Sequence, residues 1–408
     1  MALRFSALPL LLLVLLGAPA PAGAWWDTGH MLTAAIAQQR LSPAAAAEAD
    51  ALIAASASAQ ADSPVPSLSV VSAAHWADDL KRRDWPRGSK MMRSPGGLFV
   101  DMGSAHLRSM HYIDYPLGPC NPTVLDRRNN LLVALRSHRR TLADRSAEPW
   151  TRGIALRFLL HMVGDLHQPL HAVARCTPLT PDGDAGGNDF KLLPGSAGDI
   201  DNLHSMWDSM GGAYIHTIEA LAGGVRASNG TRSPGSSEAQ REGLMLQEAT
   251  RLVGAFAGAV APSFRPEQDG APPGAGKAGP DAFEAWAMES NELARRVAYA
   301  DIVENEEPSS NYVLRTRAET KRRVVLGGLR LAVVLNSVLG QPDEEPAPAP
   351  LGLATTVAAT VGLGAGCGAC WLVQRRAERQ QRQAVRLRSP VKDSYGGEDL
   401  ELLGDQRT

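Results

Sequence analysis

The sequence contains little cysteine and no excess of charge. Four cysteines in 408 residues are too few for a disulfide scaffold. The 41 lysines and arginines nearly balance the 43 aspartates and glutamates, so overall charge indicates no nucleic-acid, membrane or acidic partner. Alternating strand patterns are almost absent and there is no internal repeat, which excludes an all-β sandwich and a solenoid. The 44% hydrophobic content suffices for one large domain or two average ones.

The few cysteines fall into two kinds. Cys367 and Cys370 lie in a segment that we predict to be in a membrane. Cys120 and Cys176 are then the only candidate pair outside it. They would form a disulfide if the compartment is oxidising, although the sequence does not show that they meet.

Residues 1–24 have the pattern of a secretory signal peptide. Arg4 precedes an apolar run over residues 8–16, and small residues end at Ala24 in a suitable cleavage site. The run is too short to span a bilayer comfortably. Cleavage after Ala24 would leave Trp25 with a free α-amine.

The C-terminal part has the pattern of a membrane anchor. A Pro-rich linker over 341–350 precedes an uncharged run over 351–373 of about spanning length, and arginines follow at once. A glycolipid-anchor signal would end in its hydrophobic tail, whereas here residues 374–408 follow as a mostly polar cytoplasmic tail. We therefore predict a single-pass type I protein of the cell surface or secretory membranes. Asn229 lies in an N-glycosylation sequon and would face the same side as the main domain.

The region between these ends has mostly helical spacing. We predict one mostly α domain over residues 25–340. Its predicted helices cover residues 29–40, 44–59, 72–84, 129–143, the central stretch from 156, a segment from 202 toward 210, 238–260, 282–300 and 318–339.

The stretch 156–172, LRFLLHMVGDLHQPLHA, combines apolar residues with potential metal ligands. His161 and Asp165 are four residues apart, so a helix places them on one face, where they can bind one ion. Pro169 disfavours straight continuation of the helix and turns His171 toward a different partner. His167 lies roughly 240° around the helix from His161 and faces away.

Further histidines and aspartates strengthen the metal hypothesis. His204 and Asp208 form a second pair four residues apart, while Asp78, His111 and His30 are dispersed. Neutral imidazole and carboxylate suit zinc, and a catalytic zinc keeps an open position. His75, three residues before Asp78, is a rival ligand.

The motifs WWDTGH, WADD, HYID, HMVGDLHQPLH, GGND and DNLHSMWD occur in the order seen in the secreted zinc-dependent, single-strand-specific nucleases. The chain therefore resembles this family, and with its predicted anchor it resembles the surface 3′-nucleotidase/nucleases of trypanosomatids. The resemblance implies the helical fold shared with zinc phospholipase C and a cluster of three Zn²⁺ ions. It also implies hydrolysis of single-stranded RNA or DNA to 5′-mononucleotides and removal of 3′-phosphate from 3′-nucleotides, with a role in purine salvage.

Carried over by motif, nine residues would bind the three ions. The first ion would be held by Asp78, His111, His161 and Asp165. Its close neighbour would be held by the amine and carbonyl of Trp25, by His30 and by a shared oxygen of Asp165. The third ion, farther away, would be held by His171, His204 and Asp208. Asp78 and Asp165 would thereby be catalytic residues.

The resemblance also implies residues that contact the substrate. Tyr112 would stack on a base and Asp114 would accept hydrogen bonds from it. Lys81 occupies the place where family members often have an arginine that stabilises transition-state charge; a lysine is a point charge rather than a bidentate fork. Asn188, after two glycines, would line the site.

Two other functions remain open from the sequence. A zinc-dependent phospholipase C would have the same scaffold and ligands, because a fold does not determine the substrate. A surface binding protein would use zinc only to hold its helices together. No obligate protein partner is indicated by the sequence.

Overall fold

A computed structural model describes part of the chain. The described residues are 27–57, 68–82, 91–93, 99–101, 104–121, 129–195, 198–214, 238–270 and 281–340. All of them lie within one compact unit, Met1–Asp343. Among these residues, none of the helices is both long and apolar enough to cross a bilayer. The predicted signal peptide, linker, membrane helix, tail and sequon, together with Trp25, lie outside the described residues.

The described part is mostly helical, which confirms the predicted fold class. Its helices are α1 (Asp27–Gln38), α2 (Pro43–Ala55), α3 (Val70–Ala73), α4 (Trp76–Arg82), α5 (Ser104–Ser109), α6 (Leu131–Ala143), α7 (Pro149–His167), α8 (Leu203–Asp208), α9 (Glu238–Val260), α10 (Pro266–Asp269), α11 (Ala282–Leu293) and α12 (Ser310–Leu339). Strand β1 (Met91–Arg93) pairs antiparallel with β2 (Phe99–Asp101), and β3 (Pro116–Leu117) pairs parallel with β4 (Ala174–Arg175).

Side-chain caps determine several helix boundaries. The Asn130 side chain accepts hydrogen bonds from the first turn of α6, and Asn202 does the same at the predicted start of α8. Helix α12 begins at Ser310, earlier than the predicted start at residue 318, because the Ser309 hydroxyl accepts from Tyr312 N–H. The predicted helix over 72–84 is two short helices, α3 and α4, and the one over 282–300 ends in a π-helical turn, Ala294–Ala298.

Helix α7 lies at the centre of the domain. All side chains from Arg152 to His167 are buried, and the apolar ones pack in the main hydrophobic core with residues of α2, α6 and α12. A helix that is buried on every side must pair each of its polar groups inside the protein. The polar residues of α7 are therefore divided between two faces with different partners.

One face of α7 packs against a network of buried arginines. Arg330 Nη1 donates to Glu289 Oε2 at 2.7 Å and lies 3.1 Å from His167 Nε2. Arg323 Nε donates to the carbonyl oxygen of His167 at 3.1 Å, and Ser290 Oγ donates to that of Leu166. These contacts satisfy carbonyls of the last turn of α7, which have no partner within the helix.

The other face of α7 is approached by α1, which crosses α12 closely. A Cβ added at Gly328 of α12 would lie 2.5 Å from Cβ of Ile36 in α1. Real Cβ atoms do not approach so closely, so a glycine is required where the two helices cross. This contact brings α1, and His30 with it, close to α7.

Cys120 and Cys176 form a disulfide, with their Cα atoms 5.0 Å apart. The predicted candidate pair is thus confirmed. The bond joins the segment after β3 to the residue after β4, next to the backbone hydrogen bond from Cys176 N–H to Leu117 O. It fixes the two chain segments that follow His111 and His171.

Candidate metal centre

Helix α7 and the turn after it present three candidate ligands. His161 Nε2 lies 3.2 Å from Asp165 Oδ2, and both side chains are fully buried. Gln168 leaves the helical conformation, and Pro169–Ala172 forms a 3₁₀ turn that carries His171. The predicted bend at Pro169 is therefore present. It places His171 beside His204 and Asp208, while its Nδ1 also lies 3.6 Å from Asp165 Oδ1.

Asp78 and His111 complete the first group around His161 and Asp165. His161 Nε2 lies 3.3 Å from Asp78 Oδ1. His111 Nδ1 lies 2.9 Å from Asp165 Oδ2 and 3.0 Å from His161 Nε2. The four side chains come from α4, the segment after α5, and α7, so that only the folded chain brings them together.

His30 of α1 forms the second group with His161 and Asp165. Its ring stacks on that of His161 with centroids 3.7 Å apart, and its Nε2 lies 3.5 Å from Asp165 Oδ1. Asp165 thus directs one oxygen to each group. Trp25, the other predicted ligand here, lies outside the described residues.

The third group consists of His171, His204 and Asp208. His204 Nε2 lies 3.3 Å from Asp208 Oδ2, as expected for residues four apart on α8. The His171 and His204 rings lie 5.0 Å apart between centroids. Among the described residues, potential ligand atoms lie within 4.8 Å of one another in each of three sets: Asp78–His111–His161, His30–His161–Asp165 and His171–His204–Asp208.

Backbone carbonyls determine the tautomers of three of the histidines. A carbonyl only accepts, so the Nδ1 atom that faces it carries the proton and donates. His161 donates to Ala74 O at 2.7 Å, His171 to His111 O at 2.6 Å and His204 to Gly186 O at 2.8 Å. Metal-binding histidines are typically oriented in this way, since the lone pair of Nε2 then faces the ion.

The position of Gly186 explains the glycines of the GGND motif. Its φ is +62°, and a Cβ there would overlap the carbonyl oxygen of Leu170. Glycine is the residue that tolerates both the left-handed backbone and the close approach. The loop thereby places Gly186 O against His204.

His30 gives a direct test of whether the groups suit a cation. It is fully buried, and neither of its ring nitrogens has a hydrogen-bond partner. A buried polar group without a partner costs roughly 1–3 kcal/mol. A metal ion between His30 and Asp165 would use both side chains, so these residues fit a bound cation.

Charge in the centre is organised around Asp165. Burial would raise the pKa of Asp165, but His161, His111 and His171 hold it well below its ordinary value. Burial would lower the pKa of His161, but Asp165 and Asp78 outweigh it and raise that pKa to about 10. Burial, followed by the charge of His161, lowers the pKa of His30 well below its ordinary value. The ionised Asp165 carboxylate makes this interior site attractive to cations.

Tyr112 and Asp114 follow His111 directly. The Tyr112 side chain is 40% exposed, an unusual position for a large aromatic ring beside a buried cluster. Asp114 is half-buried, and burial together with the neighbouring charge of Asp184 raises its pKa to about 7.

The other two predicted substrate residues are less well placed by the structure. Lys81 is on α4, but its side chain lies outside the described part. Asn188 is in the GGND loop. Its side-chain Nδ2 donates to Ala185 O at 2.7 Å, and its backbone carbonyl oxygen accepts from Lys191 Nζ. Their contacts with a substrate stay predictions.

The rival histidines are outside the three groups. His167 faces away, as predicted, and donates from Nδ1 to Val163 O at 2.8 Å. His75 Nδ1 lies 3.0 Å from Asp79 Oδ2, one turn along the same segment.

The sequence reasoning missed one buried polar residue, Gln168, whose side chain donates to Asp208. Its place in the motif between His167 and Pro169 was the available signal.

A helical domain with three buried groups of histidine and aspartate defines a protein built around a metal centre. A family model described as S1/P1 Nuclease matches residues 25–340. The chain therefore belongs to the S1/P1 nuclease family, as its motifs predicted.

Two curated relatives support this assignment. They are Nuclease P1 of Penicillium citrinum and Nuclease PA3 of a Penicillium species. Each is 28% identical to the chain over 210 residues, which cover 48% of the chain and 64% of the relative. The match thus spans less than two thirds of either relative.

Proposed function

We propose that the chain is a zinc-dependent phosphoesterase of the cell surface. Its substrates are single-stranded RNA or DNA, cleaved to 5′-mononucleotides, and 3′-nucleotides, from which it removes the 3′-phosphate. The observation that carries the proposal is the position of Asp165, whose two oxygens lie 2.9 Å from His111 Nδ1 and 3.5 Å from His30 Nε2. One buried carboxylate shared by two histidine groups suits a pair of close metal ions.

The three groups would hold three zinc ions with the ligands assigned above. Trp25 would add its amine and carbonyl beside His30 after cleavage at Ala24. Bound zinc lowers the pKa of water toward 7 and neutralises phosphate oxygens. The protein contributes by fixing the imidazole tautomers and by lowering the pKa of Asp165, so that this buried carboxyl stays ionised.

Tyr112 and Asp114 would supply recognition of the nucleoside. Stacking of a base on an aromatic ring contributes roughly 1–3 kcal/mol and tolerates many sequences. A stacked base must be unpaired, which accounts for a preference for single strands. Lys81 is the proposed contact to the phosphate. Asn188 is proposed to line the site.

The location follows from the same proposal. Disulfides persist in oxidising compartments, and the Cys120–Cys176 bond supports a domain outside the cytoplasm. We propose the arrangement predicted from the sequence: cleavage after Ala24, a domain over 25–340, and a single membrane helix over 351–373 with a cytoplasmic tail.

The test uses the full-length processed chain purified from membranes in detergent. Zinc content is measured together with hydrolysis of 3′-AMP, single-stranded RNA, double-stranded RNA and phosphatidylcholine. We expect three zinc ions per chain, action on the first two substrates and little on the others. Release of the lipid head group without action on RNA would instead indicate a phospholipase C. A zinc-loaded protein that hydrolyses none of them would indicate a binding protein.

A further inference from the structure

Gln168 connects the ligands of the third group although it is not itself a ligand. Its side chain is fully buried at the point where α7 ends and the 3₁₀ turn begins. A buried primary amide must place both its donor and its acceptor, because an unsatisfied polar group in the interior is costly.

The orientation of the Gln168 amide is fixed by its partners. Its Oε1 accepts from the N–H of Leu170 at 2.6 Å, and a backbone N–H can only donate. The Nε2 group therefore faces Asp208 and donates to Oδ1 at 2.7 Å. A carboxylate that accepts this bond keeps its other oxygen, Oδ2, on the side of His204 Nε2 at 3.3 Å.

The backbone of Gln168 contacts two more predicted ligands. Its N–H donates to Asp165 O at 3.0 Å, and its carbonyl accepts from His171 N–H at 3.0 Å. One residue thus ends the helix that carries Asp165, begins the turn that carries His171, and orients the carboxylate of Asp208. The first two elements are consecutive in the sequence, whereas Asp208 lies 40 residues from Gln168.

We propose that Gln168 is a positioning residue for the third metal ion: by holding Asp208 and the His171 turn together, it keeps that site in its metal-binding arrangement. The inference rests on the proposed zinc function. It concerns the affinity of one ion of the three. The two ions around Asp165 depend on side chains that the Gln168 amide does not touch.

Replacing the amide by a carboxylate changes little in size but reverses the key interaction. Gln168→Glu would place a second buried carboxylate against Asp208, where no donor remains between them. Gln168→Met keeps the volume and removes both hydrogen bonds. Gln39→Glu is the matched control, because Gln39 is an exposed amide at the end of α1 that donates to Leu246 O.

The experiment measures zinc affinity site by site in the full-length chain by titration against a competing chelator. Cobalt(II) substitution provides an absorption spectrum of each site as a readout other than activity. We expect three ions in the unaltered chain and in Gln39→Glu. In both Gln168 variants we expect two ions at unchanged affinity and a third weakened at least about tenfold, as is usual when a residue that orients a ligand is lost.

Two results would overturn the inference. Three ions bound with unchanged affinity in both Gln168 variants would show that the amide does not position the site. Equal weakening of all three ions would show a general structural effect. Fewer than three ions in the unaltered chain would contradict the proposed function itself, so the two failures are distinguishable.

Discussion

Helix α7 carries two fully buried histidines on opposite faces, and they have opposite surroundings. His161 and His167 each donate from Nδ1 to a backbone carbonyl, Ala74 O and Val163 O respectively. The Nε2 atom of His161 then faces Asp78 and Asp165, whereas that of His167 faces Arg330. The same residue type, burial and tautomer serve a metal centre in one place and an arginine network in the other.

The difference shows that neighbouring charge decides what a buried histidine binds. Burial would lower the pKa of His161, but its carboxylate neighbours raise it to about 10. Burial lowers the pKa of His167, and Arg323 and Arg330 lower it further. A site that favours a proton also favours a divalent cation, which must displace that proton to bind. His167 Nε2 instead faces the positive charge of Arg330, which repels a metal ion.

Of the substitutions that test the difference between the two faces, Asp165→Asn should have the largest effect on zinc content and hydrolysis. It removes the charge shared by two groups, so we expect loss of two zinc ions and a fall in hydrolysis of about 1,000-fold or more, since metal ions stabilise such transition states by several kcal/mol. Zinc content and kcat/KM for 3′-AMP are measured together. The control is Asp269→Asn, a buried carboxylate that accepts from Trp286 Nε1 and lies near Arg330. Asp269→Asn should retain all its zinc. Full zinc content in Asp165→Asn would contradict the assignment of Asp165 as a ligand shared by two ions.

Arg330→Met tests the opposite face of α7. Arg330 is 1% exposed and pairs with Glu289, so its loss should destabilise the protein by about 3 kcal/mol. Urea denaturation gives the free energy of unfolding, and zinc per folded chain should stay unchanged. Arg322→Met, which removes a more exposed pair with Glu319 on the same helix, should cost under about 1 kcal/mol. Equal costs for the two variants would show that burial of the network does not matter.

Paired glutamine substitutions compare the two histidines directly. His161→Gln should weaken zinc binding by at least about 100-fold, because loss of a ligand should cost at least as much as loss of a group that only orients one. His167→Gln should leave zinc affinity unchanged and lower the free energy of unfolding by about 1–3 kcal/mol, because hydrogen bonds of a buried group are lost. Zinc titration and urea denaturation of both variants are the measurements. Similar zinc affinities for the two would mean that the face of α7 has no bearing on metal binding.

Asp114 extends the comparison to a carboxyl with an acidic neighbour, and here we expect the smallest effect. Burial and Asp184 raise its pKa to about 7, so it is ionised above that pH and protonated below it. A carboxylate that accepts from a base should lose affinity as pH falls, and KM for 3′-AMP should rise roughly tenfold between about pH 8 and about pH 6. Asp114→Asn should have a KM that does not change over this range. The same rise in that variant, at constant zinc content, would exclude Asp114 as the titrating group.

The sequence predicted those parts of the centre that depend on local spacing. Two residues four apart on a helix share a face wherever the helix lies, so the His161–Asp165 and His204–Asp208 pairs followed from α-helical geometry. The bend at Pro169 followed from the missing backbone donor. The start of α12 was missed because the residues before 318 lack a clear apolar repeat, and the capping hydroxyl of Ser309 determines it instead.

Long-range contacts could not be derived from spacing. Nothing in the local sequence brings His30 of α1 onto the ring of His161; that neighbour was expected only from the family resemblance, and the close crossing at Gly328 makes it possible. The orientation of Gln168 depends on Asp208, which lies in a separate helix. Similarly, the absence of His167 from the centre was predicted from helical geometry, but its arginine partner was not.

The disulfide has a practical consequence for handling the protein. The bond closes a ring of residues 56 positions apart in sequence, and both α6 and α7 lie within it. By the chain-entropy estimate, closing a loop of this size disfavours the unfolded chain by about 4 kcal/mol. Thiol reductants would open this ring and also compete for zinc, so two losses would coincide in one buffer. Purification and storage without thiols should therefore preserve both the cross-link and the bound ions.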